Sequence, residues 1–83
     1  MYELIFAKRA VKEFKRLESE IKERIWKKLQ ECKEDPFRFF EYLAEIRTFK
    51  LRVGDYRVLA DIDKNSKKIN INKIGHRRKV YER

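Results

Sequence analysis

The apolar residues of this chain change period once, and that change sets what it can fold into. Ala10, Val11, Phe14, Leu17, Ile21, Ile25, Leu29 and Cys32 recur mainly at spacings of three and four, the stripe of an amphipathic helix. From residue 49 onward the period is two. Phe49, Leu51 and Val53 alternate with Thr48, Lys50 and Arg52; Tyr56, Val58, Ala60 and Ile62 alternate with Arg57, Leu59, Asp61 and Asp63. That is the pattern of strands buried on one side. Val53-Gly54-Asp55 and Lys64-Asn65-Ser66-Lys67 read as the turns between them. Ile69 and Ile71 continue the alternation, whereas Lys73 and Ile74 reverse it. An extra residue near Asn72, a β-bulge, accounts for the reversal. Tyr2-Glu3-Leu4-Ile5-Phe6-Ala7 adds a short strand at the start. The expected class is therefore α+β: an N-terminal strand, a two-helix hairpin, then a three-stranded antiparallel meander with one apolar and one basic face.

Periodicity alone does not divide the helical stripe. A single helix over residues 8–34 would be roughly 40 Å long, whereas a compact 83-residue domain has a radius of gyration of about 12 Å. Two helices fit better, with a break near Glu18-Ser19 and Ser19 as N-cap. Asp35-Pro36 stops the second. Phe37, Phe39, Phe40, Tyr42 and Leu43 follow and read as a loop that packs aromatics under the sheet; base stacking or partner docking is the functional alternative. The length suits one domain over residues 1–83.

Charge is divided as sharply as period. Residues 46–83 hold twelve Lys/Arg against four acids, a balance of +8, while residues 1–45 hold eleven against ten. The basic half also contains the one histidine, His76, and ends in Gly75-His76-Arg77-Arg78-Lys79-Val80-Tyr81. Such a surface points to a polyanionic partner and to chemistry on its phosphates. An acidic protein partner fits the composition equally well. Cys32, the one cysteine, permits no internal disulfide and no Cys/His zinc set, and its place on the helical stripe makes it a small core residue. Asp61 and Asp63 share a strand face without a third acid, so no metal site is expected. There is no long apolar run at the N-terminus, so neither a signal peptide nor a membrane span is expected, and the cytoplasm is the default location.

Strand alternation puts Thr48, Lys50 and Arg52 on one face, and register can bring Arg57 beside that row. With Arg77 and Arg78 they would line a groove for a phosphodiester backbone, because guanidinium forks match phosphate oxygens. Such a groove could cleave RNA without metal or cofactor. Ribose 2′-OH attack on the adjacent phosphate needs a base, stabilisation of developing charge, and an acid for the leaving oxygen. Lys50 and His76 are the candidates for proton transfer; Tyr81 is a candidate stacking group or acid.

Leu51-Arg52-Val53-Gly54-Asp55-Tyr56-Arg57-Val58, followed by Ile74-Gly75-His76-Arg77-Arg78-Lys79-Val80-Tyr81, resembles the RelE/ParE superfamily of toxins from prokaryotic toxin–antitoxin operons. The element order and length match over the whole chain. The resemblance implies a RelE-like domain related in shape to microbial ribonucleases. RelE-like members cleave mRNA in the ribosomal decoding site, ParE-like members inhibit DNA gyrase, and a partly helical, RelB-like antitoxin neutralises the toxin. It implies Lys50, Arg57, Arg77 and Tyr81 as catalytic positions, and His76, also taken as catalytic, falls where many relatives carry His or Lys; Arg47, Arg52, Arg78 and Lys79 are the candidate RNA-binding residues. Where some RelE enzymes carry a second strand lysine, this chain has Thr48. The expected function is a ribosome-dependent endoribonuclease toxin. The alternatives are a gyrase inhibitor and a relative that only binds its antitoxin.

Overall fold

The computed structural model describes residues 1–81. Strand β1 (Glu3–Phe6) leads into helices α1 (Lys8–Lys15) and α2 (Ser19–Cys32); a 3₁₀ turn at Pro36–Arg38 precedes β2 (Glu41–Leu43), β3 (Thr48–Val53), β4 (Tyr56–Asp63) and β5 (Lys68–His76). The five strands form one sheet in the order β1-β5-β4-β3-β2. β1 runs parallel to β5, the connection between them passing through both helices and the other three strands; the other neighbours are antiparallel.

The helical stripe does break in two. The molecule's longest extent is 33 Å, shorter than the about 40 Å of an unbroken helix over the same residues. The cap differs from expectation by one position: extended Glu18 precedes the helix and Ser19 is its first residue, with no side-chain cap bond. Glu20 in the first turn suits the positive end of the helix dipole. Both helices cover one sheet face, α1 over β5 and α2 reaching β3. Ala10, Ile25, Leu29, Val58, Ile69 and Ile71 are fully buried between the layers.

The meander is present as β3-β4-β5, and the sheet extends past it on both sides. The stretch expected as a loop contributes a 3₁₀ turn and the edge strand β2. Its aromatics divide: Phe40 is buried and Phe39 packs against the core, while Phe37 and Tyr42 are exposed. The bulge lies where the reversal placed it. Leu59 pairs with Lys73 and Ala60 with Ile71, leaving Asn72 as the extra residue. Beside it, the Ile74 amide donates to Glu13 Oε1 of α1 at 2.8 Å. Gly54 (φ 59) is the sole positive-φ residue of the β3–β4 turn, a two-residue hairpin loop between paired Val53 and Tyr56. Glycine at the first central position is what a type II′ turn requires.

Candidate nucleic-acid interface

The sheet face away from the helices is organised as rungs. One runs Glu41–Lys50–Leu59–Lys73 and the next Arg52–Arg57–Gly75. Residues opposite each other in neighbouring strands project to the same side, so Lys50, Arg52 and Arg57 share this face as expected. Thr48, at the next position along β3, donates its hydroxyl to the Ala60 carbonyl at 3.1 Å.

The chain beyond β5 folds back over this face. The amides of Lys79 and Val80 donate to the His76 carbonyl at 2.8 and 2.9 Å, and the Arg77 amide donates to the Asp55 carbonyl at 2.7 Å. Val80, buried to 1% exposure, lies over Gly75, where a Cβ would stand 3.6 Å from that of Val80. A second small apolar contact thus anchors a turn bearing Arg77, Arg78, Lys79 and Tyr81. The Tyr81 ring is exposed. Arg77 Nε lies 3.9 Å from Asp55 Oδ1 at the hairpin tip.

The basic residues are not equivalent. Arg57 is buried, and its Nη1 donates to the carbonyls of Gly54 at 2.8 Å and Tyr56 at 2.9 Å. It closes the β3–β4 hairpin from below. Arg52, opposite it, is exposed. Lys50 Nζ forms an ion pair of 3.2 Å with Glu41 Oε1 on β2. Arg47 sits exposed in the β2–β3 connection with φ 50, at one side of the face.

His76 lies apart from this group. It pairs with Tyr56, and their rings meet edge to face at 5.6 Å. Tyr56 packs against the helix-side core, so His76 belongs to the opposite face from Lys50 and Arg57. Its Nδ1 accepts the Arg78 amide at 3.2 Å. The bulge explains the placement: an extra residue at Asn72 puts Ile74 and His76 on the core side and Lys73 and Gly75 on the basic side. Glu41 is the neighbour that sequence reading missed. It became visible only through β2, whose three residues are too few to display a period.

Asp61 and Asp63, the acids weighed as a metal pair, serve local structure. Asp61 Oδ2 accepts the Asn72 amide group at 3.1 Å. Asp63 Oδ1 accepts the backbone amides of Asn65 and Ser66, and these bonds, that of Ser66 above all, hold its carboxyl below the usual range. Among the described residues, no cluster of three or more His, Cys, Asp or Glu suits a metal ion, and no helix is long and apolar enough to cross a membrane.

The family model described as the ParE toxin of type II toxin–antitoxin systems matches residues 4–81. Among solved structures, the chain is similar to one from the RelBE2 toxin–antitoxin complex of Mycobacterium tuberculosis, with 26% identity, a TM-score of 0.83, and coverage of 90% of this chain and 96% of that one. It is similar to the isolated RelE toxin of E. coli at 25% identity and TM-score 0.75, covering 92% and 84%. The archaeal RelE–RelB complex from Pyrococcus horikoshii OT3, at 22% identity and TM-score 0.77 over 95% and 98%, shares the fold. No curated protein matches the sequence.

Proposed function

The chain belongs to the ParE toxin family of type II toxin–antitoxin systems, within the RelE/ParE superfamily, and from that premise we propose that it is the toxin of a RelBE-type module and cleaves mRNA on the ribosome. The observation that carries this reading is one sheet face on which Lys50 and Arg52 occupy adjacent rungs, the second of which ends at Gly75 beneath the turn bearing Arg77, Arg78, Lys79 and Tyr81. Cations spaced along adjacent rungs suit consecutive phosphates, and guanidinium groups suit the charge that develops on phosphorus. Lys50, Arg52 and Arg77 hold the scissile phosphate, with Arg57 beneath as a buried positive charge. Arg47, Arg78 and Lys79 extend the track, and Tyr81 stacks on a base or protonates the leaving oxygen. The ribosome supplies the mRNA's orientation. No cofactor enters the scheme.

Primer extension on an mRNA under translation in a cell-free system tests the reading, comparing wild type with Arg77→Ala, with and without ribosomes. Cuts made by wild type alone, and only with ribosomes, are expected. Equal cutting by Arg77→Ala refutes the site assignment; no cutting by wild type refutes the ribonuclease.

An antitoxin is the partner this reading assigns, as in the RelB–RelE complexes to which the chain is similar. Phe6, Val11, Phe14, Lys15 and Trp26 line an apolar depression of about 210 Å³, suited to a helix, and acidic residues of the partner would neutralise the basic half. Binding then weakens with salt. The ParE description of the matching family model favours gyrase inhibition as a second reading, which a supercoiling assay with purified gyrase separates from the first.

A further inference from the structure

We infer that Glu41 is the general base of this site, the group that takes the 2′-OH proton; the inference rests on the ribonuclease reading above. Cleavage of this kind requires an acceptor beside the scissile phosphate. Guanidinium and ammonium groups offer only donors, so Arg52, Arg57, Arg77 and a Lys50 held as an ion pair cannot fill that role. His76 is on the other face, with its Nδ1 already accepting the Arg78 amide. Of the acids on or beside the basic face among the described residues, Asp61 is engaged by Asn72 and lies one rung beyond Lys50, Asp63 accepts the Asn65 and Ser66 amides, and Asp55 faces Arg77 at the hairpin tip, past the Arg52–Arg57 rung from Lys50. Glu41 remains: it is opposite Lys50 across β2–β3, 3.2 Å from Nζ, and its side chain is 68% exposed.

The pairing explains how one carboxylate can act in a cationic site. In the resting protein it neutralises Lys50. A phosphate oxygen arriving at Lys50 takes over the ammonium, and the 2′-OH of the same nucleotide, whose oxygen must come within about 3–3.5 Å of phosphorus to attack, is brought against the freed carboxylate. Glu41 accepts the proton, O2′ bonds to phosphorus, and the P–O5′ bond breaks. The departing O5′ takes a proton from Tyr81 or Lys50. The products are a 2′,3′-cyclic phosphate and a 5′-hydroxyl, so atoms and charge balance.

The test uses Glu41→Gln in the full chain, alone and combined with Lys50→Ala. The rate of a single turnover on saturating ribosome-bound mRNA is measured beside affinity for the same mRNA carrying 2′-deoxyribose at the cut site. Glu41→Gln is expected to slow cleavage roughly 10²–10⁴-fold, with unchanged or tighter binding and an unchanged thermal midpoint. A further loss is expected when it is added to Lys50→Ala. Cleavage by Glu41→Gln at the wild-type rate overturns the assignment while leaving the ribonuclease standing. So does a loss traced wholly to weaker binding, or one that vanishes in the Lys50→Ala background, which would make Glu41 a support for Lys50. No cleavage by wild type overturns both readings together.

Discussion

Arg52 and Arg57 stand directly opposite one another across the β3–β4 ladder, and only one of them is available to a ligand. Like charges in that relationship repel. Here Arg57 turns its guanidinium onto the Gly54 and Tyr56 carbonyls, and Arg52 remains in solvent. The pair is a fixed positive charge beneath an adaptable one, and a phosphate bound as proposed would relieve the repulsion between them.

The two arginines therefore fail differently when removed. Arg57→Ala removes a buried guanidinium and its two part-buried bonds to the Gly54 and Tyr56 carbonyls and is expected to lower stability by about 1–2 kcal/mol, read from denaturant unfolding. Arg52→Ala should leave the unfolding midpoint in place. It should weaken RNA binding and flatten the log–log salt dependence by about 0.7 for the lost phosphate contact. Equal stability of the two variants would contradict the division of roles.

Gly54 combines φ 59 with a close neighbour: a Cβ there would lie 3.0 Å from Arg24 Nη2. The arginine end can move, but the left-handed backbone cannot be relieved. Gly54→Ala is expected to cost about 1–2 kcal/mol, seen as a lower unfolding midpoint.

Val80 tests whether the terminal turn is a working part. It is buried yet stands outside the main core. Val80→Asp would place a charge in that small apolar contact and drive the turn off the sheet. The protein should stay folded by circular dichroism while cleavage falls about 10²-fold or more, since Arg77 and Tyr81 lose their placement. Wild-type activity in a folded Val80→Asp variant would remove the turn from the site.

Cys32 gives a pH-dependent expectation. Burial pushes its thiol up from 9.0 to about 12, with Lys28 acting in the opposite sense and Glu31 adding a little. A folded value above the unfolded one means a contribution to stability that is complete below pH 9.0 and lost as pH rises toward about 12. Native protein at mildly alkaline pH should resist a thiol-reactive disulfide reagent, and protein in denaturant should react at once. Fast labelling of the native state would show that α2 opens readily.

Much of this arrangement was legible in the sequence because its residues lie within long periodic runs. The β3–β4–β5 order, the Gly54 turn and the Asn72 bulge all follow from alternation and its single reversal. β2 was not legible: three residues following an aromatic cluster carry no readable period, and its edge position depends on pairing with β3. Glu41 was hidden with it, since an ion pair between strands is a fact of register. Arg57 was placed on the right face, but its burial depends on the hairpin carbonyls and on the chain folding back over them. Its sequence neighbours group His76 with the basic residues, whereas the bulge marked by Lys73 and Ile74 turns it to the other side.

The pairing of β1 with β5 alone sets an order of events during synthesis. β1 must wait for β5 before it has a neighbour, and contacts this distant in sequence form late. The basic face is completed later still, when the turn through Val80 settles on Gly75. The surface proposed to bind messenger RNA is thus assembled from the part of the fold that closes last.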